Sequence, residues 1–301
     1  MLDYSKLQLP SPIQSLSSDF LDQHAIKLWV KRDDLIHPII QGNKWRKLKY
    51  NLQQAREERQ HTLLSFGGAY SNHIHALAAA GELFGFNTIG IIRGEAQQPL
   101  NPTLQDVSDR GMQLGYLPRT EYRHKTSADI LQRLKQQYGG FYLIPEGGSN
   151  VLAVKGAAEI IHELDQAFDL ICIACGTGAT LAGLITGMNH RSQLLGFSAL
   201  KGADFLYDDI TKLLQQSKHQ YYHNWSLNLD YHFGGFGKTQ PELFDFIDQF
   251  QQEYGIALEP VYTGKMFYGL FDLIAQGHFK PGTRILAIHS GGLQGLRGFS
   301  R

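Results

Sequence analysis

Short apolar runs alternate along this chain with longer stretches in which apolar residues recur at three- and four-residue steps. The short runs, many of them rich in β-branched residues, predict strands at 27–31, 63–66, 88–93, 142–144, 170–174, 194–198 and 285–289. The longer patterns predict helices at 71–83, 181–188, 240–253 and 268–276. Such alternation is the signature of strand–helix units feeding a parallel sheet, because a parallel neighbour can be reached only by a long crossover. The expected fold class is α/β, a three-layer open parallel-sheet architecture with helices covering the sheets. No internal repeat, low-complexity segment or charged linker divides the chain. The best local candidate for a crossing between domains is PEGGSN at 145–150, where adjacent glycines accept backbone angles that other residues resist.

Composition narrows the partners. A chain of 301 residues buries a sizeable core as one large domain or two moderate ones, and two are expected. Its 28 Lys and Arg balance 28 Asp and Glu, so no net field draws it to nucleic acid or to an anionic membrane, and a small molecule is the expected partner. The apolar stretches are short and interrupted, and the opening MLDYSKLQLPSPIQ lacks the basic-then-apolar pattern of a secretory signal, which points to the cytoplasm. Cys172 and Cys175 form a C-x-x-C inside FDLICIAC. A spacing of three on a strand sends the two side chains to opposite faces, so core thiols are expected. No second pair of ligands accompanies them, and no metal is expected.

Four segments carry candidate chemistry. In QGNKWRKLKYNL, Lys44 follows a Gly-Asn turn at the mouth of a helix that also carries Arg46, Lys47 and Lys49. Cationic neighbours would disfavour its charge and make it a better nucleophile toward an aldehyde, although the segment by itself reads more simply as a basic, solvated helix face. In LLSFGGAYSNHIHALAAAG, a strand runs through Gly67-Gly68 into Ser71-Asn72 at the start of an Ala-rich helix. Free N–H groups there, with the Ser71 hydroxyl and Asn72 amide, suit a carboxylate; the alternative is a simple helix cap. His73 and His75, two apart on that helix, face different ways and make a poor metal pair.

The third segment, CGTGATLAGLITG, is again a strand, a Gly-rich turn and a helix. Gly176 and Gly178 admit close backbone approach, Thr177 and Thr180 offer hydroxyls, and the helix start at Ala179 presents unpaired N–H groups, a setting for phosphate. Leu181 stands where a dinucleotide fingerprint needs glycine, and no G-K-[ST] follows. A tight turn needing glycine only for packing is the competing account. The fourth comprises LEPVYTGKMFYGL and ILAIHSGGLQGL, where Tyr262, Thr263 and Ser290 lie beside glycines near strand ends, the place where open α/β sheets bind ligands.

In this order, VKRDD at 30–34, GNKWRKLKY at 42–50, GGAYSNH at 67–73, GGSN at 147–150, GTGAT at 176–180 and EPVYTGK at 259–265 resemble the family of D-cysteine desulfhydrase and 1-aminocyclopropane-1-carboxylate (ACC) deaminase, among the tryptophan-synthase-β-like, fold type II pyridoxal 5'-phosphate (PLP) enzymes. The resemblance covers nearly the whole chain. It implies that Lys44 holds PLP as a Schiff base, that Asn72 contacts the phenolate oxygen of the cofactor ring, that residues 176–180 hold the phosphate, and that Ser71 lies over the substrate. It further implies a large PLP domain from 1–45 and 151–301, a smaller α/β domain inserted at 46–150, and a homodimer.

Three positions bear on the branch. His73 and Thr263 are similar to the desulfhydrase, where the deaminase has glutamine and, against the pyridine nitrogen, glutamate. A neutral Thr263 implies a weaker electron sink, sufficient to eliminate a thiol. Phe236, in HFGGFGK, replaces an expected tyrosine over the site and cannot hydrogen-bond a substrate, leaving the Tyr262 and Ser71 hydroxyls for that work. The expected reaction is α,β-elimination from a small amino acid, best D-cysteine. Lys44 would also take the α-proton, while Ser71, Asn72 and His73 would bind the substrate. The alternatives are ACC deamination and a catalytically silent PLP- or phosphate-ligand-binding protein.

Overall fold

The computed structural model describes residues 2–96, 98–188, 192–218 and 223–299. Among them are ten strands: β1 (Ile13–Leu16), β2 (Lys27–Lys31), β3 (Thr62–Gly67), β4 (Asn87–Arg93), β5 (Gln113–Leu117), β6 (Tyr142–Leu143), β7 (Leu170–Cys175), β8 (Gln193–Ser198), β9 (Trp225–Asn228) and β10 (Arg284–Ile288). The helices are α1 (Asp19–Gln23), α2 (Asn43–Glu57), α3 (Asn72–Phe84), α4 (Pro102–Asp109), α5 (Arg119–Tyr122), α6 (Ala128–Tyr138), α7 (Val151–His162), α8 (Ala179–Met188), α9 (Phe205–Lys218), α10 (Pro241–Tyr254) and α11 (Thr263–Ala275).

The strands form two sheets. One has the order β1-β2-β10-β7-β8-β9, parallel except for β1, which pairs antiparallel with β2; the other has the order β5-β4-β3-β6 and is all parallel. Each sheet is covered on both faces. In the larger one, Ile171, Ile173 and Cys175 of β7 join α7, α8 and α9 in one core, while Leu170, Cys172 and Ala174 join α1, α10 and α11 in another. The two cysteines therefore face opposite ways, as their spacing predicts. The smaller sheet packs α2, α3 and α4 on one side and α5 and α6 on the other. This is the expected three-layer α/β arrangement, built twice.

All seven predicted strands form. The unpredicted ones, β1, β5 and β9, are sheet edges. A central parallel strand is buried on both faces and reads as a continuous apolar run, whereas β1 has a single buried residue and β5 and β9 alternate with exposed positions. The last helix begins at Thr263 rather than 268, because Glu259 caps a turn that the apolar periodicity does not register. Among the described residues no helix is long and apolar enough to cross a membrane, and no cluster of three or more His, Cys, Asp or Glu side chains could hold a metal ion.

Two segments join the sheets. Residues 145–148 lead from β6 through a 3-10 turn to α7, with Gly147 and Gly148 both at positive φ (67° and 69°). Helix α2 lies between the sheets: Leu48, Leu52 and Ala55 pack into the core of the smaller one, while the Arg46 carbonyl approaches α7 where Gly156 leaves room, a β-carbon there falling 1.9 Å from that oxygen.

Candidate active site

The site begins with the placement of Lys44. Gly42, with φ at 55°, turns the chain into α2, and a β-carbon on it would lie 1.9 Å from the Ser290 carbonyl oxygen, so only glycine fits. That carbonyl accepts from Asn43 N–H at 3.2 Å, tying the first turn of α2 to the end of β10. The Asn43 side chain donates to Thr180 Oγ1 at 3.3 Å, joining α2 to the start of α8. Lys44 thus stands where β10, α2 and the loop 176–180 converge.

The helix face is not the solvated one that its charges suggest. Trp45, Arg46 and Lys47 are buried, with Arg46 0% exposed. Arg46 is neutralised by Asp33 (NH2–Oδ1 3.0 Å) and Glu163 (NH1–Oε1 2.5 Å), and Lys49 by Glu159 (2.6 Å). The Lys44 pKa is lowered to about 8 by burial, partly opposed by the Glu259 carboxylate. Desolvation, rather than the cationic neighbours invoked above, therefore makes it a nucleophile.

Lys47 is the residue that sequence reasoning passed over. One turn beyond Lys44 on the same helix face, it is 3% exposed and donates to the Gly147 carbonyl at 3.2 Å and to Thr177 Oγ1 at 3.3 Å. It makes no ion pair among the described residues. Burial and then the nearby Lys44 push its pKa well below the usual lysine range. A buried cation held only by a carbonyl and a hydroxyl is costly, and an anion supplied by a ligand at the loop 176–180 would offset that cost.

Ser71 caps α3 by accepting from Ile74 N–H at 3.2 Å, so the capping account holds; its own hydroxyl proton stays available. The N–H groups of Asn72 and His73 belong to the first turn, which helix geometry leaves without partners inside the helix. Asn72 Oδ1 accepts from Gln294 Nε2. The His73 side chain does not share in this. Its Nε2 lies 2.8 Å from Ser65 Oγ, which donates to the Ile144 carbonyl (2.8 Å), and the ring packs beside Gly148. Burial and then the charges of Lys44 and Lys47 keep that ring neutral, with Nδ1 buried and unpartnered. The ring is thus turned into the joint between β3 and residues 145–148, and the His73 group that belongs to the open first turn of α3 is its backbone N–H.

Tyr262 and Thr263 open α11. The Tyr262 hydroxyl lies over Gly176, where a β-carbon would stand 3.3 Å from it, and Phe236 packs edge-on against the Tyr262 ring at 5.9 Å while remaining 55% exposed. Burial, with Glu259 and Glu146 adding to it, raises the Tyr262 pKa, so the phenol keeps its proton. Thr263 has a carboxylate behind its neutral hydroxyl. Its Oγ1 accepts from Glu259 N–H (3.1 Å) and donates to Glu259 Oε1 (3.2 Å), and that carboxylate also accepts from the N–H groups of Val261, Tyr262 and Thr263 at 2.7–2.8 Å. Glu259, 0% exposed, is a second residue that sequence reasoning missed, although EPVYTGK contains it. Lys265 holds the Phe236 loop by donating to the His232 and Gly235 carbonyls, both at 2.8 Å.

These features fit an aldehyde cofactor that carries a phosphate: a desolvated amine, an anion-deficient lysine beside a Gly-rich helix start, and a neighbouring amide. The chain matches the model of the pyridoxal-phosphate dependent enzyme family over residues 5–291, and it belongs to that family. It is 31% identical to a Pyrococcus horikoshii protein named "Putative 1-aminocyclopropane-1-carboxylate deaminase", over 89% of this chain and 85% of that one. To the mitochondrial bifunctional D-cysteine desulfhydrase/1-aminocyclopropane-1-carboxylate deaminase of Arabidopsis thaliana it is 30% identical, over 97% and 79%. The solved structure of an ACC deaminase homologue superposes with a TM-score of 0.84 at 29% identity, covering 97% of this chain and 92% of that one.

The cofactor is thus PLP, and the lowered Lys44 pKa has a measurable consequence. At pH 7 about one Lys44 in ten is neutral, against a few in ten thousand for an ordinary lysine, and only the neutral amine attacks an aldehyde. If Lys44 is the amine that captures PLP, its pKa of about 8 means that reconstitution of the apo-protein should quicken roughly tenfold per pH unit up to about pH 8 and level off above it. Stopped-flow absorbance of the reconstitution checks this; a rate still climbing through pH 10 would contradict a desolvated Lys44.

Proposed function

We propose that the protein catalyses α,β-elimination from a small amino acid, best D-cysteine, which with one water gives pyruvate, ammonia and hydrogen sulfide. The observation that carries this reading is the pair Lys44 and Lys47 on one face of α2, the first with a lowered pKa that leaves its amine poised for an aldehyde and the second buried and facing the loop 176–180 without a counter-anion. Lys47, Thr177, Thr180 and the backbone from Gly176 to Ala179 would hold the phosphate, and Lys44 the aldehyde carbon. Asn72 would donate to the ring oxygen, and Thr263 would lie near the ring nitrogen. Bound there, PLP supplies an electron sink for negative charge at the substrate α-carbon.

The residues of this chain then divide the remaining work. The Ser71 hydroxyl, whose oxygen is already used as a cap, donates its proton to the substrate carboxylate, joined by the N–H groups of Asn72 and His73. Lys44, partly neutral at physiological pH, accepts the α-proton. Tyr262, kept protonated by burial, is the acid available to a departing thiolate. Residues 46–150, as a domain distinct from 1–45 and 151–301, would bring Ser71 against Lys44 across the cleft.

ACC deamination is the second reading, supported by Glu259, which places a carboxylate behind Thr263, and by the names of the relatives. Purified, PLP-loaded protein should be given D-cysteine, L-cysteine, β-chloro-D-alanine, D-serine and ACC. Pyruvate with sulfide from D-cysteine, and no 2-oxobutyrate from ACC, is the expected result. Dominant 2-oxobutyrate formation would transfer the assignment to ACC, and absence of all turnover would leave a PLP-binding protein.

A further inference from the structure

The 3-10 turn Leu293–Gly298 lies against the start of α3, and one of its side chains is specified at both ends. Gln294 donates from Nε2 to the Tyr70 carbonyl oxygen at 3.2 Å and to Asn72 Oδ1, while its Oε1 accepts from Thr103 Oγ1 at 2.9 Å. Thr103 is 0% exposed in the first turn of α4. The Tyr70 carbonyl can only accept, so it fixes which end of the Gln294 amide faces it. Asn72 must then offer its oxygen to Gln294 and turn its Nδ2 the other way. That nitrogen faces the turn after β10, where a β-carbon on Gly292 would lie 2.8 Å from Nδ2 and 3.7 Å from Glu259 Cγ.

We infer that Gln294 is a positioning residue that sets the orientation of the Asn72 carboxamide. This rests on the reading above, in which Asn72 meets the ring oxygen of PLP. The two ends of a carboxamide have nearly the same shape, so packing alone cannot choose between them. Turned one way, Asn72 gives a hydrogen bond to an anionic oxygen; turned the other, it sets oxygen against oxygen. A hydrogen-bonded line from Thr103 in α4 through Gln294 makes the choice before the ligand arrives, so none of the binding energy is spent on turning the amide.

Gln294→Leu removes the constraint, and Gln294→Glu reverses it, because a carboxylate only accepts and would draw Nδ2 toward itself. The dissociation constant for PLP should rise about tenfold in Gln294→Leu and further in Gln294→Glu, the change expected for losing a hydrogen bond to a charged group. Both variants should also alter the visible absorption band of the lysine-bound cofactor. Affinity for inorganic phosphate, which reports on Lys47 and the loop 176–180, should be unchanged, separating this effect from general loosening. In an Asn72→Ala background, Gln294→Glu should add no further loss. Unchanged PLP affinity and absorption in both variants, or additive losses with Asn72→Ala, would overturn the inference while leaving the PLP reading intact. A wild-type protein without any lysine-bound band would instead overturn the reading, and the inference with it.

Discussion

Lys44→Ala is expected to eliminate the visible absorption of the covalently held cofactor and to lower turnover by at least about 10²- to 10⁴-fold, the usual contribution of a positioned general base. Two lysines compete for this assignment, because Lys47 is buried and lies one turn away from the half-buried Lys44. Their hydrogen bonds separate them. Lys47 is committed to Gly147 and Thr177, whereas Lys44 is fixed through its backbone by Gly42 and Ser290 and keeps its amine for chemistry. Borohydride reduction of the wild-type protein followed by peptide mapping should place the cofactor on Lys44. Reduction of the variant should label nothing, and a label on Lys47 would reverse the two roles. Because Lys47 and the loop stay in place, the variant should still bind inorganic phosphate.

Arg46→Ala should cost about 3–5 kcal/mol of stability, the penalty for leaving buried charges without their partner. The residue sits in a closed network of two cations and two anions. Arg46 pairs with Asp33 and Glu163, Lys31 pairs with Glu163 at 2.7 Å, and Asp33 also accepts from Ser11 Oγ at 2.5 Å. Burial by itself would lower the Arg46 pKa, but Asp33 and Glu163 together raise it, and the Glu163 pKa is lowered by Arg46 and Lys31 against the effect of its own burial. Since the folded-state pKa of Glu163 is depressed, its contribution is complete above the ordinary glutamate range near 4.5 and fades as the pH falls below it. Urea unfolding at neutral pH measures the loss. A change under about 1 kcal/mol, the scale of an exposed pair, would show that the network is not the buried clamp described here.

The sequence reveals most where the signal is local. The apolar runs of β3, β7 and β10 announce central strands because both of their faces are covered, and Gly42, Ser71 and Gly176 stand at turns whose chemistry is written in adjacent residues. What stays hidden depends on burial and on partners distant along the chain. Arg46, Lys47 and Lys49 look alike as part of a basic stretch, yet Asp33, Glu163 and Glu159 neutralise two of them, while Lys47 has no carboxylate partner among the described residues. The His73 ring faces Ser65 and Ile144 rather than the cleft, which residue identity does not disclose. Glu259 and Gln294 gain meaning only from the hydrogen bonds that meet them in the folded chain.

The position of β10 between β2 and β7 also dictates an order of events during synthesis. The four-stranded sheet is drawn wholly from residues 62–143 and has all its strands early. The six-stranded sheet does not: β2 and β7 await a neighbour that leaves the ribosome after the other strands among the described residues, so two apolar edges stay open in the nascent chain. Ser290, at the end of β10, is also what secures the turn carrying Lys44. The surroundings that desolvate Lys44 are therefore complete only once β10 has been made and paired.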